Sequence, residues 1–150
     1  MLLRAPARLY DWRCGWLLGH RFLRLTHIGR NSGHHYQTML EVIGTEPAVN
    51  EFLVLAAQGP TADWYRNLQA FPAVEVAIGD SRFRPVHRVL TVEEAAAALA
   101  DYEHRNRWIT PIIQQVLSWL VGWRYDGSNP ARHHLARELP IVAFRPAHDQ

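Results

Sequence analysis

The strongest constraint on how this chain can fold is the regular interruption of short apolar runs by tight polar turns. Six runs have the length and composition of strands: Arg21 to Ile28, Tyr36 to Gly44, Glu51 to Ala57, Val74 to Ile78, Arg82 to Leu90 and Ile141 to Phe144. Between them lie Gly29 to Gly33, a turn containing Pro47 and Asn50, and the reversal Gly79, Asp80, Ser81. Strands at hairpin spacing, interleaved with short helices, predict an α+β barrel or sandwich and exclude a parallel doubly wound sheet.

Helix signals fill the intervals. Thr61 is a candidate N-cap for a short helix carrying Trp64, Tyr65, Asn67 and Leu68, which Pro72 prevents from continuing. Thr91 followed by Glu94 forms a capping box ahead of an alanine-rich helix expected to reach about Arg105. A helix from Pro111 to about Val121 is apolar on too many sides for a surface helix, so it lines a core, a pocket or a partner. Gly122 is expected to end it, and the turn Asp126 to Pro130 precedes a short helix to about Leu139. Near the N-terminus, Leu9, Trp12, Trp16 and Leu17 recur at helical spacing among arginines. That amphipathic helix, over residues 1–19, either covers the barrel or rests on a membrane surface as a peripheral contact.

With 150 residues, 48% of them hydrophobic, the chain is long enough for one real core and too short for two domains. A single domain over residues 1–150 is expected, with the barrel over 20–146. All 16 basic residues are arginine, so Schiff-base and P-loop lysine chemistry is excluded. Their scatter along the chain, at a net charge of only +2, argues against a nucleic-acid surface. The single Cys14 cannot form an internal disulfide, and no apolar stretch is long enough for a signal peptide or a spanning helix. A cytoplasmic location follows as the expectation, with membrane association open through the N-terminal helix.

Nine histidines invite a metal reading, but the adjacent pairs His34, His35 and His133, His134 send their side chains in divergent directions, and there is no HExxH. No metal is expected. No serine sits in a GxSxG elbow, so covalent hydrolysis is disfavoured and no catalytic acid, base or nucleophile stands out. The turn Gly29, Arg30, Asn31, Ser32, Gly33 is different. Its two glycines permit positive φ, and such a loop can turn successive backbone amides toward one point and hold an anion.

About thirty residues beyond that turn comes Asp63, Trp64, Tyr65, Arg66, Asn67, Leu68. The two blocks in this order resemble the deazaflavin-dependent nitroreductase family, and the segments Trp123 to Gly127 and Leu139 to Pro146 fit a subgroup of it. The resemblance implies a six-stranded split β-barrel of the FMN-binding type, monomeric or homodimeric. It also implies an oxidoreductase that uses coenzyme F-420, an 8-hydroxy-5-deazaflavin, to pass hydride to small conjugated, nitroaromatic or quinone-type acceptors. By position, Arg30, Asn31, Ser32 and Gly33 would approach the cofactor phosphate. Tyr36, Gln37, Thr38 and Met39 would flank its tail and ring, Gln58 and Gly59 would meet the ring edge, and Trp64 with Asn67 would buttress the pocket. Tyr65, Tyr102 and Trp108 are candidates for the acceptor pocket.

Three family cations are replaced: Asn31 follows the turn arginine, Tyr36 or Gln37 stands for an arginine on the next strand, and Gln58 stands for a strand-end lysine. Charge-assisted bonds dominate phosphate binding. The sequence therefore leaves two alternatives beside F-420: FMN, whose shorter tail needs fewer cations, and a non-catalytic barrel holding an apolar ligand such as a lipid or haem.

Overall fold

A computed structural model describes residues 22–147 of the chain. The expected N-terminal helix, with Cys14, Trp12 and Trp16, lies outside the described residues.

Seven strands form one sheet: β1 (Phe22–Ile28), β2 (His35–Glu46), β3 (Glu51–Leu55), β4 (Glu75–Ile78), β5 (Ser81–Phe83), β6 (Pro85–Val89) and β7 (Ile141–Pro146). Their order is β5-β4-β1-β2-β3-β7-β6, and every pairing is antiparallel. The two ends of that order, β5 and β6, are separated in sequence by Arg84 alone. One bent strand thus supplies both edges, and the sheet curls into a nearly closed barrel, which leaves little free edge.

The sequence reading of six strands is corrected here. Arg82 to Leu90 is not one strand but two, because Pro85 lacks an N–H for the β4 ladder and the chain turns there to pair with β7 instead. A second bend comes from a register shift between Val42 and Gly44 in the twelve-residue β2, which lets that strand serve both halves of the sheet.

Among the described residues four helices pack on this frame: α1 (Asp63–Ala70), α2 (Val92–Arg105), α3 (Thr110–Val121) and α4 (Asn129–Glu138). Thr91 and Glu94 cap α2 reciprocally as the sequence predicts, and Gly122 ends α3 in the left-handed conformation at φ 79°. Thr61 does not cap α1. It lies in a 3-10 turn over Gly59–Thr61, where its hydroxyl donates to the Gln58 carbonyl, and Ala62 precedes the helix.

The apolar side chains form two clusters. Leu23, Leu25, Val54, Val76 and Phe144 of the strands meet Trp64 and Leu68 of α1. On the other side, Ile43 and Ile141 meet Leu99, Ile113, Leu117 and Leu135 of α2, α3 and α4.

A buried polar knot ties the second cluster together. Glu103 of α2, only 8% exposed, accepts the Tyr125 hydroxyl and two hydrogen bonds from Arg132 of α4, at 3.1 Å from Nε and 2.8 Å from Nη2. Burial, and then the Glu103 carboxylate, raise the Tyr125 phenol above its ordinary pKa, so it stays a donor. Ser118 accepts from the Tyr125 amide at 2.8 Å, which anchors α3 to the same knot. Removing one partner of a buried ion pair strands the other charge. Arg132→Met is expected to lower the unfolding free energy by about 3 kcal/mol in urea titrations.

Candidate functional site

A cavity of about 890 Å³ opens between β1, β2 and the α3 side of the molecule, where the two apolar clusters meet. It falls within the size range of cofactor and small-molecule pockets. Its walls differ in character. One is polar: His27 at the end of β1, Arg30, Asn31 and Ser32 of the turn, Tyr36, Gln37 and Thr38 opening β2, then Gln58, Asp63 and Asn67. The other is apolar: Ile43, Leu55 and Leu99, with Ile109, Ile113, Val116, Leu117 and Leu120 on and before α3.

The dense apolar periodicity of α3 has its reason in this arrangement. Ile113 and Leu117 face the core, while Ile112, Val116 and Trp119 extend the cavity wall, so the helix needs apolar residues on more than one side. Trp119 is nevertheless 66% exposed and Ile112 60% exposed, which makes this wall the open rim of the cavity.

The turn after β1 is built from its own hydrogen bonds. Gly33 N–H donates to the Gly29 carbonyl at 2.9 Å, Gly29 N–H to the His34 carbonyl at 2.8 Å, and His34 N–H to Ser32 Oγ at 3.1 Å. Gly33 takes φ 74°, which suits glycine. Gly29 leaves room for its neighbours: a Cβ there would lie 2.6 Å from Tyr36 Cε2 and 2.7 Å from Ser32 Oγ, so both side chains would have to shift. The glycine spacing permits the five amides of this turn to converge on an anion. Three of the five, those of Gly29, Arg30 and Gly33, are engaged by the chain itself, as is the amide of His34 just beyond the turn.

Asn67 fastens the turn to α1. Its Oδ1 accepts from the Arg30 backbone N–H at 3.0 Å and from Arg30 Nη1 at 2.8 Å, while Arg30 Nη2 donates to Asp63 Oδ1 at 3.2 Å. Among the described residues Arg30 is the only arginine in the cavity wall, and this pairing turns its charge toward the protein. On its other side the Asn67 amide meets His27 Nδ1 at 3.0 Å, and His27 Nε2 lies 2.9 Å from Thr38 Oγ1. Sequence reasoning missed His27. Its only signal was a histidine at the end of β1, two residues before the glycine turn.

Eleven of the residues singled out from the sequence share the cavity wall: Arg30, Asn31, Ser32, Tyr36, Gln37, Thr38, Met39, Gln58, Trp64, Asn67 and Tyr102. Four do not. Gly33 is an exposed turn residue, and Gly59 is buried behind the wall, where a Cβ would come within 3.4 Å of the Glu138 carbonyl. Tyr65 packs on the first apolar cluster, edge-on to Trp64 at 6.1 Å, and Trp108 is 79% exposed beside the rim. Tyr102, by contrast, donates to Glu41 Oε2 at 3.1 Å within the wall. Among the described residues no three His, Cys, Asp or Glu side chains gather as metal ligands would, and no helix is long and apolar enough to cross a membrane.

A nearly closed antiparallel barrel with a two-faced cavity beside its first strands defines the split-barrel class that binds flavins and deazaflavins. Residues 7–112 match the family described as F420H(2)-dependent quinone reductase, and the chain belongs to that family. It is accordingly an F-420-dependent oxidoreductase. Among solved structures, the Agrobacterium tumefaciens protein Atu2129, of unknown function, is similar in fold, with a TM-score of 0.50 and 15% identity. That match covers 95% of this chain and 55% of the other. An F420-H2 dependent reductase, FDR-A, matches at TM-score 0.48 and 18% identity over 85% of this chain and 96% of its own. A pyridoxamine 5'-phosphate oxidase-related, FMN-binding protein from Nostoc punctiforme matches at 0.46 and 13% identity, over 93% and 76%. No curated protein matches the sequence.

Burial lowers the pKa of His27, with Asp63 partly opposing, and burial lowers that of His87 as well. In the folded protein both rings therefore hold their protons less firmly than in the unfolded chain, where histidine titrates near 6.5. The contribution is fully present above pH 6.5 and is lost as pH falls through the lower folded values. Urea midpoints are expected to fall on acidification below pH 6.5, and His27→Gln is expected to flatten that slope.

Proposed function

We propose that the cavity between the β1–β2 end of the barrel and α3 holds the deazaflavin ring of reduced F-420 and presents it to a quinone-type acceptor. The observation that carries this reading is the division of the wall. A tricyclic deazaflavin has a heteroatom-rich edge and a broad apolar face. The polar side offers Thr38, Gln37 and Gln58 to such an edge, and α3 offers Ile113, Val116 and Leu117 to such a face. When bound, the cofactor supplies a hydride, and the protein supplies placement and exclusion of water.

The residues fit the ring better than they fit a polyanionic tail. Arg30 is committed to Asn67 and Asp63, and Asn31 and Gln58 are neutral. The exposed Ser32, His34, His35 and Arg66 around the turn and α1 are the groups left to meet the phosphate and carboxylates. Affinity should therefore come chiefly from the ring and should depend weakly on salt.

The open apolar rim at Ile112 and Trp119 suits a flat, poorly hydrated acceptor, which favours quinones over polar nitroaromatics. A lipid or haem carrier would also use the α3 wall, but family membership assigns the chain to the reductases. FMN remains an outcome of the binding test rather than a separate reading.

Anaerobic oxidation of reduced F-420, followed by the return of its absorbance, tests the proposal with menadione and a nitroaromatic in parallel. Turnover with the quinone at the higher kcat/KM is expected. Val116→Trp, which fills the apolar side, is expected to lower the quinone kcat/KM by about tenfold or more. Turnover with nitroaromatics alone would contradict the acceptor assignment.

A further inference from the structure

The side chains around His27 determine one another's hydrogen positions. Asn67 Oδ1 accepts two hydrogen bonds from Arg30, one of them from the backbone, so the carbonyl end of the amide must face Arg30. Its Nδ2 end, a donor only, then faces His27 Nδ1 at 3.0 Å, and that nitrogen must be the unprotonated acceptor. The ring proton of a neutral His27 consequently sits on Nε2 and is donated to Thr38 Oγ1 at 2.9 Å. A hydroxyl that accepts from histidine keeps its own proton for another acceptor. Thr38 lines the cavity, and among the described residues His27 is its only side-chain hydrogen-bond partner.

We infer that His27 is a positioning residue: through Asn67 and Arg30 it commits the Thr38 hydroxyl as a hydrogen-bond donor into the cavity, selecting ligands that place a carbonyl oxygen or an imine-type nitrogen there. The inference rests on the reading of the cavity as the ring site and goes further by fixing the sense of one bond. An acceptor atom on the ligand completes the chain Arg30, Asn67, His27, Thr38. A ligand N–H at the same place meets a second donor and is refused, because a buried donor left unpaired costs more than an ordinary bond gains.

The geometry has a structural consequence too. His27 is 3% exposed and Asn67 is equally buried, so neither can exchange its partner for water. Asn67 cannot flip without facing Arg30 with two donors. The turn and the donor at Thr38 are therefore set together, although they lie on different elements.

Two measurements test this. In the free protein, nitrogen-15 NMR of the histidine rings, with His27 assigned by its loss in His27→Gln, is expected to show Nε2 protonated and Nδ1 bare at neutral pH. In fluorescence titrations with F-420, Thr38→Val is expected to weaken binding about tenfold while Thr38→Ser restores it, since serine keeps the hydroxyl and valine keeps the shape. A merely structural threonine would be served as well by valine.

A protonated Nδ1 on His27, a doubly protonated ring at neutral pH, or equal affinity of Thr38→Val and wild type would each overturn the inference. Failure of the wild-type protein to bind F-420 or FMN is a separate outcome. It overturns the reading of the cavity together with the ligand half of this inference, while the ring tautomer in the free protein still judges the His27 relay.

Discussion

The side-chain amide of Asn67 is the point on which the candidate site depends. It joins α1 to the turn through Arg30 and to β1 through His27, adding to the Arg30–Asp63 ion pair and to the packing of Trp64 and Leu68 on β1. Backbone hydrogen bonds close the Gly29–Gly33 turn on itself, but they do not orient it toward the helix. A buried amide with both ends satisfied is costly to disturb, because either rotation leaves two like groups facing each other. The polar wall of the cavity is therefore pre-organised before any ligand arrives.

The opposite wall obeys a different constraint. The apolar face of α3 is held from behind by Ser118 and Gln114, whose hydrogen bonds to Tyr125 and Asp126 tie it to the turn leading into α4. Glu103 and Arg132 then tie that turn to α2. The barrel closure at Arg84 and Pro85 lies across the sheet from the site and supplies rigidity rather than chemistry. The cavity is thus bounded by one wall set by an amide and another set by a buried ion pair, and the two share no side chain.

Much of the fold was legible in the sequence because its signals are local. The Thr91 and Glu94 box, the Gly122 stop and the alternation of β1 and β2 each reflect a choice made within a few residues. The division of Arg82 to Leu90 was not legible, since Pro85 alone does not reveal that the two halves pair with strands at opposite ends of the sheet. At the site, paired blocks pointed to the turn and to Asn67, but His27 is separated from Asn67 by forty residues and carries no spacing signal. The partners of the turn's amides were not legible for a related reason: glycine spacing permits converging amides, but which of them the chain itself takes up depends on tertiary contacts.

The central claim is that one cavity, polar on the barrel side and apolar on α3, is the seat of the cofactor ring. A crystal structure of the protein with oxidised F-420 tests it most directly. The account predicts ring density between Thr38 and Gln58 on one side and Leu117 on the other, with an acceptor atom of the ring within hydrogen-bond distance of Thr38 Oγ1. Ring density seated elsewhere on the barrel, with this cavity filled only by solvent, would contradict it.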